Sequence, residues 1–139
     1  MAYNRLFIDS DILLDILLQR EPFYVFGQNL LNKGENKEIE ISTSALVIAN
    51  IYYIIAKALG RTEAIDKAKT LMKILKVLPL DEDCITLAMY SNFSDIEDAM
   101  QHFMAMQNQC DVIITRNLKH YKKSLLPVLS AEQYLITKK

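Results

Sequence analysis

Two apolar runs in this chain stop at residues equipped for chemistry. Leu6-Phe7-Ile8 runs into Asp9-Ser10-Asp11, and Val112-Ile113-Ile114 runs into Thr115-Arg116-Asn117. A short β-branched run with polar groups at its carboxyl edge is how an open parallel sheet presents ligand chemistry, because ligands bind outside the carboxyl ends of its strands. Asp9 and Asn117 are therefore expected to face one crevice. Asp95-Ile96-Glu97-Asp98 supplies two further carboxylates from the far half of the chain. These gather with Asp9 only if the strand order reverses near the first strand. Clustered carboxylates repel one another and are costly to desolvate, so a cluster of Asp9, Asp95 and Asp98 points to a divalent cation that neutralises it. Oxygen donors favour Mg²⁺ or Mn²⁺ over Zn²⁺. Asp9 and Asp98 carry the ion in this reading, and Asp95 and Asn117 complete its shell directly or through water. Such an ion activates water and steadies charge on a phosphoryl group, which is nuclease logic.

Each residue has a plainer role to set beside this one. Asp9 is also placed to cap the following helix, and Asp95 lies in a first turn where the helix dipole alone favours an acid. Ser94-Asp95-Ile96-Glu97 matches the capping box, with Ser94 as cap and Glu97 reaching back to it. Asp11 and Asp15 share one helix face and are most simply solvated or hydrogen-bonded. Asn117 also suits a turn after a strand. Thr115 and Arg116 either order the carboxylates or touch phosphate. Lys119, His120, Lys122 and Lys123, interleaved with Tyr121, form a basic cluster with an aromatic. Single-stranded RNA could bind such a cluster by phosphate pairing and base stacking. His102, four residues after Asp98, lacks a second ligand and reads as structural, and Met100, Met104 and Met106 read as core.

The elements that must position these groups alternate along the chain. Strands are expected at Arg5 to Ile8, Glu38 to Ser42, Val77 to Leu80, Asp111 to Thr115 and Leu126 to Leu129. A helix follows Asp9 on the stripe Ile12, Leu13, Ile16 and Leu17, and Glu21-Pro22 ends it. Phe23 to Leu31 reads as a second helix, stopped by Asn32-Lys33-Gly34. The Ser44 to Tyr53 stretch opens a helix that is apolar almost all round, so it is expected to be buried with Asn50 as an interior polar group. Arg61-Thr62 opens the next, and Asp81 caps another. Strands alternating with helices and no hairpin signal imply a three-layer α/β/α domain, residues 1–139, around a parallel sheet of four to five strands.

Composition narrows the function classes. The chain has 139 residues, 51% hydrophobic, with only three Gly and three Pro, which argues for a compact fold. Sixteen basic against 17 acidic residues leave a net charge of −1, so any nucleic acid must be held by a local basic patch. Cys84 and Cys110 lack metal-ligand spacing, and no signal peptide or long apolar run appears, so the chain reads as a cytoplasmic protein.

On these residues the sequence resembles the PIN-domain family (PilT N-terminus-like) over essentially its whole length. The carriers are Leu6-Phe7-Ile8-Asp9-Ser10-Asp11-Ile12-Leu13-Leu14-Asp15, then Asp95-Ile96-Glu97-Asp98-Ala99 followed by Val112-Ile113-Ile114-Thr115-Arg116-Asn117. The resemblance implies a metal-dependent ribonuclease, often the toxin half of a toxin–antitoxin pair, with RNA as substrate and an antitoxin and further copies of the chain as partners. Many active members carry Glu on the third helix and Asp after Thr-Arg, where this chain has Asn50 and Asn117. Asparagine offers a carbonyl oxygen but no charge, so one metal is expected and not two, with Asp11 and Asp95 compensating in part. The same departures define a rival, a PIN-like domain that binds RNA or protein without cutting. Asp9-x-Asp11 also resembles the nucleophile motif of haloacid-dehalogenase-like phosphatases. The expected Gly-Thr is missing after it, and the chain is short for that fold. Phe23, Tyr24 and Phe26 on the early helices are candidates for a partner surface.

Overall fold

A computed structural model describes residues 3–137. Strands β1 (Arg5–Ile8), β2 (Glu40–Ser44), β3 (Lys76–Leu78), β4 (Val112–Ile114) and β5 (Val128–Leu129) form one parallel sheet in the order β3-β2-β1-β4-β5. The order reverses at β1, whose two neighbours are β2 and β4. The crevice between the carboxyl ends of β1 and β4 is thus the switch point at which such sheets hold ligands.

Side chains alternate across the sheet, as the strand pleat requires. Leu6, Ile8, Val112 and Ile114 face one layer, built from α1 (Ser10–Leu17), α2 (Tyr24–Glu35), α3 (Ala45–Leu59), α4 (Arg61–Ile74) and α7 (Ala131–Thr137). Phe7 and Ile113 face the other, where α5 (Glu82–Met89), α6 (Ile96–Gln107) and a 3₁₀ turn (Leu118–Tyr121) pack. The result is the expected three-layer α/β/α arrangement with five strands. Each fully buried Leu, Ile or Phe contributes about 1.5–3 kcal/mol by leaving water, so the sheet's central residues, all nearly inaccessible, hold both layers to it.

Several expected boundaries move, each for a local reason. Helix α1 ends at Leu17 and not at Glu21-Pro22, because Gln19 turns left-handed (φ 51°). Helix α2 runs through Asn32-Lys33-Gly34 to Glu35, and Gly34 is a packing residue, since a Cβ there would overlap Ile41 on β2. Gly60 (φ 94°) breaks α3 from α4. Helix α3 is not buried all round: Val47, Ile51 and Ile55 face the core, but Ile54, Leu59 and Tyr53 (71% exposed) face outward, and Asn50 is half-buried. Among the described residues nothing covers this apolar back. Ser94 is not the cap of α6; Asp95 is, accepting from the Asp98 amide, so the capping-box role expected for Glu97 falls away. Among the described residues no helix is long and apolar enough to cross a membrane.

Candidate active site

Asp9 sits one residue past β1, its amide donating to Ile114 O at 3.0 Å, so the strand ladder itself fixes where its side chain starts. Asp9 Oδ1 caps α1 by accepting from the Ser10 amide at 2.8 Å. Asp9 Oδ2 accepts from the Tyr121 hydroxyl at 3.1 Å and lies 2.9 Å from Thr115 Oγ1. Asp9 therefore holds the capping role and a place in the crevice at once. Thr115, directly after β4, is fully buried and also lies 3.2 Å from Asp11 Oδ2 while its oxygen accepts from the Asn117 amide. One hydroxyl proton cannot serve two carboxylates, so Asp9 and Asp11 compete for Thr115.

Burial in this crevice pushes the Asp9 carboxyl up to about 6, reinforced by the charges of Asp11 and Asp98 and opposed by the Ser10 and Thr115 hydrogen bonds. Burial raises Asp11 as well, against the Arg116 amide that donates to its Oδ2 at 2.9 Å. Asp98 lies in the first turn of α6, three residues inside the cap. Desolvation, then Asp95, lift it to about 6, while His120 pulls it down. The charge of Asp98, from the far third of the chain, thus reaches Asp9. Asp95 stands exposed at the cap, one oxygen committed to the Asp98 amide and its charge felt by Asp98.

The other expected site residues divide. Asn117 is exposed at the start of the 3₁₀ turn, held by its backbone. Lys119, His120, Lys122 and Lys123 are exposed, and residues 116–120 line a depression of about 390 Å³. Arg116 is engaged within the protein through two of its guanidinium nitrogens. Its guanidinium makes two hydrogen bonds to Asp15, at 2.7 and 2.9 Å, and lies 4.0 Å above the Phe23 ring. Asp15, 1% exposed, also pairs with Arg20 at 3.0 Å, so of its two expected roles, solvated or hydrogen-bonded, it has the second, as a buried tie between α1 and the end of β4. Tyr121 is buried against Asp9 and cannot stack on a base. His102 is structural, as expected: its Nε2 accepts from the Leu125 amide at 3.0 Å, and burial lowers its basicity. Another depression, about 600 Å³, lies at the opposite edge of the sheet, where Arg5, Glu40 and Lys76 begin their strands. It is remote from Asp9, and its Arg5 is paired with Glu40.

Sequence reasoning missed two positioning contacts. Ser44 Oγ donates to Gln101 Oε1 at 2.6 Å while capping α3 through the Val47 amide, which pins α6 to the end of β2. Thr43 Oγ1 donates to Ile8 O at 2.8 Å beside Asp9. Ser44 before an apolar run was a visible cap signal; nothing in the sequence marks its partner.

Oxygen donors, the raised carboxyls and a buried Asp11 Oδ1 without a hydrogen-bond partner suit a hard divalent ion. Among the described residues no three His, Cys, Asp or Glu side chains already surround one point as ligands. Mg²⁺-type ions do not require that, being held by one or two carboxylates plus waters and substrate phosphates.

A family profile described as PIN domain matches residues 5–119. Ribonuclease VapC1 of Aquifex aeolicus (strain VF5) is 22% identical, the match covering 96% of this chain and 95% of that protein. A toxin–antitoxin complex from Klebsiella pneumoniae shares the fold at a TM-score of 0.69 with 15% identity, over 91% of this chain and 97% of that one. VapC20 of Mycobacterium tuberculosis, a sarcin–ricin-loop-cleaving toxin, does so at 0.63 with 13% identity, over 78% and 86%.

Proposed function

The chain belongs to the PIN-domain family, and from that premise we propose that it is a divalent-metal-dependent endoribonuclease, the toxin half of a toxin–antitoxin pair. The observation that carries the reading is the meeting of Asp9 and Asp98 at the switch point of the sheet, each carboxyl raised to about 6. Asp9 and Asp98 would hold Mg²⁺ or Mn²⁺, which supplies a water of lowered pKa and neutralises charge at the phosphoryl group. The protein's part is positioning. Tyr121 and Thr115 hold Asp9 Oδ2 from two sides, and the Arg116 amide fixes Asp11. Asp95 contributes charge beside Asp98, and Asn117 lies at the mouth with a neutral carbonyl to offer. Lys119, with Lys122 and Lys123, gives RNA phosphates a cationic edge next to the carboxylates.

The relatives named as a ribonuclease and as a toxin–antitoxin complex support the substrate class and an antitoxin partner. The outward apolar residues of α3 and of the end of α5, Tyr53, Ile54, Met89 and the following Tyr90, support burial against a partner or further copies of the chain. A rival reading, RNA or protein binding without cleavage, draws on the amides Asn50 and Asn117, at the positions where the family resemblance leads one to expect acids. A panel of single-stranded and structured RNAs, incubated with Mn²⁺ or Mg²⁺, separates the two. Cleavage by the wild type that is absent in Asp9→Asn and Asp98→Asn supports the nuclease. RNA retention without cleavage, unchanged in both variants, supports the rival and refutes the nuclease.

A further inference from the structure

Helix α6 carries Asp98, and Ala105 on the same helix lies in one buried apolar cluster with Phe7 of β1 and Ile113 of β4. Apolar burial is non-directional. It holds two layers together without fixing how far one has slid along the other. A direction is supplied at the carboxyl edge of the sheet, where Gln101, 2% exposed, accepts from Ser44 Oγ at 2.6 Å. Among the described residues this is the one side-chain hydrogen bond between α6 and a strand. Gln101 stands three residues after Asp98, about 4.5 Å along the helix axis.

The strand end of this tie is itself held. Ser44 closes β2, and its Oγ accepts from the Val47 amide at 3.0 Å. Thr43, the residue before it, donates through Oγ1 to Ile8 O at 2.8 Å, and Ile8 leads into Asp9. Thr43 and Ser44 are both fully buried. A continuous buried path therefore joins the backbone that carries Asp9 to the helix that carries Asp98. A side chain needed only to fill this layer would be apolar, because a buried amide costs free energy unless it is paired and an apolar residue makes no such demand.

We propose that Gln101 is a positioning residue: through Ser44 it sets where the first turn of α6 stands against the end of β1, and so the separation of Asp98 from Asp9 across the crevice. This rests on the metal-dependent reading above and deepens it. Two carboxylates from different layers serve one ion best when their spacing is set before the ion arrives.

Mn²⁺ binding to the full chain, followed by electron paramagnetic resonance, tests this without reference to cleavage. Wild type, Gln101→Met, Ser44→Ala and the double variant are titrated with the ion alone, at a temperature where urea unfolding shows them folded. The wild type is expected to bind saturably, and each single variant about tenfold more weakly, the low end of what loss of an orienting group costs. Both substitutions delete the same bond, so the double variant should bind no more weakly than the weaker single one. Gln101→Met leaves the Ser44 cap on Val47 in place, so it reads the tie by itself if loss of that cap unfolds Ser44→Ala. A residue that only stabilises the fold would lower the unfolding midpoint and leave the affinity for Mn²⁺ where it was. That result in Gln101→Met, or losses that add in the double variant, overturns the positioning role and leaves the nuclease reading standing. Absence of saturable Mn²⁺ binding in the wild type overturns both.

Discussion

Replacing Asp9 by Asn should make the protein more stable at neutral pH and leave it unchanged in acid. The folded state holds this carboxyl protonated up to about pH 6, whereas the unfolded chain releases the proton near 3.8. Stability from this group is therefore complete below about pH 3.8, declines as pH rises, and levels off above 6. About two pH units of separation correspond to about 3 kcal/mol. Asparagine removes that cost and can keep the contacts: its oxygen can accept from the Ser10 amide, and its amide can donate to the Thr115 and Tyr121 oxygens, whose hydroxyls rotate. It also caps a helix as well as aspartate does. Urea unfolding of wild type and Asp9→Asn at half-unit steps from pH 4 to 8 gives the difference directly, and other titrating groups cancel in it. The variant should match the wild type near pH 4 and exceed it by up to about 3 kcal/mol at pH 7.5. Mn²⁺ should narrow that gap by stabilising the wild type alone, by the mass action of an ion that binds only the folded state. A difference that is flat with pH, or a variant less stable than the wild type at pH 7.5, would refute the account of Asp9 as a desolvated and crowded carboxylate.

Arg116→Ala should cost about 3 kcal/mol in urea unfolding, because it strips Asp15, buried at the end of α1, of its bidentate partner and leaves only Arg20; Arg116→Lys should recover little of it, as lysine cannot make the paired contact. Tyr121→Phe should cost about 1 kcal/mol and move upward the pH at which the Asp9 effect levels off, since a hydrogen bond to the charged form is lost; an unchanged upper limit would mean that the hydroxyl does not act on Asp9. Gly34→Ala should lower stability by about 1–3 kcal/mol through collision with Ile41, seen as a lower thermal midpoint with unaltered Mn²⁺ binding.

The sheet was readable because its strands are buried on both faces and end at polar residues, a pattern that only a parallel α/β fold explains economically. The reversal of strand order at β1 followed from the need to bring Asp9 and Asp98 together. What could not be read is relational. Arg116 and Asp15 are 101 residues apart, and neither type announces that it will find the other buried rather than in water. Gly34 reads as a helix stop until Ile41 is known to lie against it. The outward face of α3 carries the composition of a core, so hydrophobicity alone could not say which side is covered within this chain. Asp95 and Ser94 are both good caps; only the backbone decided between them.

The segment from Arg116 to Leu126 is fastened at three points, each to a different part of the frame: Arg116 to Asp15, Tyr121 to Asp9, and the Leu125 amide to His102. All three anchors point inward, and Leu118, Lys119, Lys122, Lys123 and the Leu125 side chain point outward. Heredity can therefore work on the two sets separately. Outward positions are open to drift and to selection for new contacts at little cost to folding, while a change at any anchor is paid in structure before it can be tried for function. Divergence among proteins built this way should concentrate between the fastenings, making this strap the place where one scaffold acquires different surfaces.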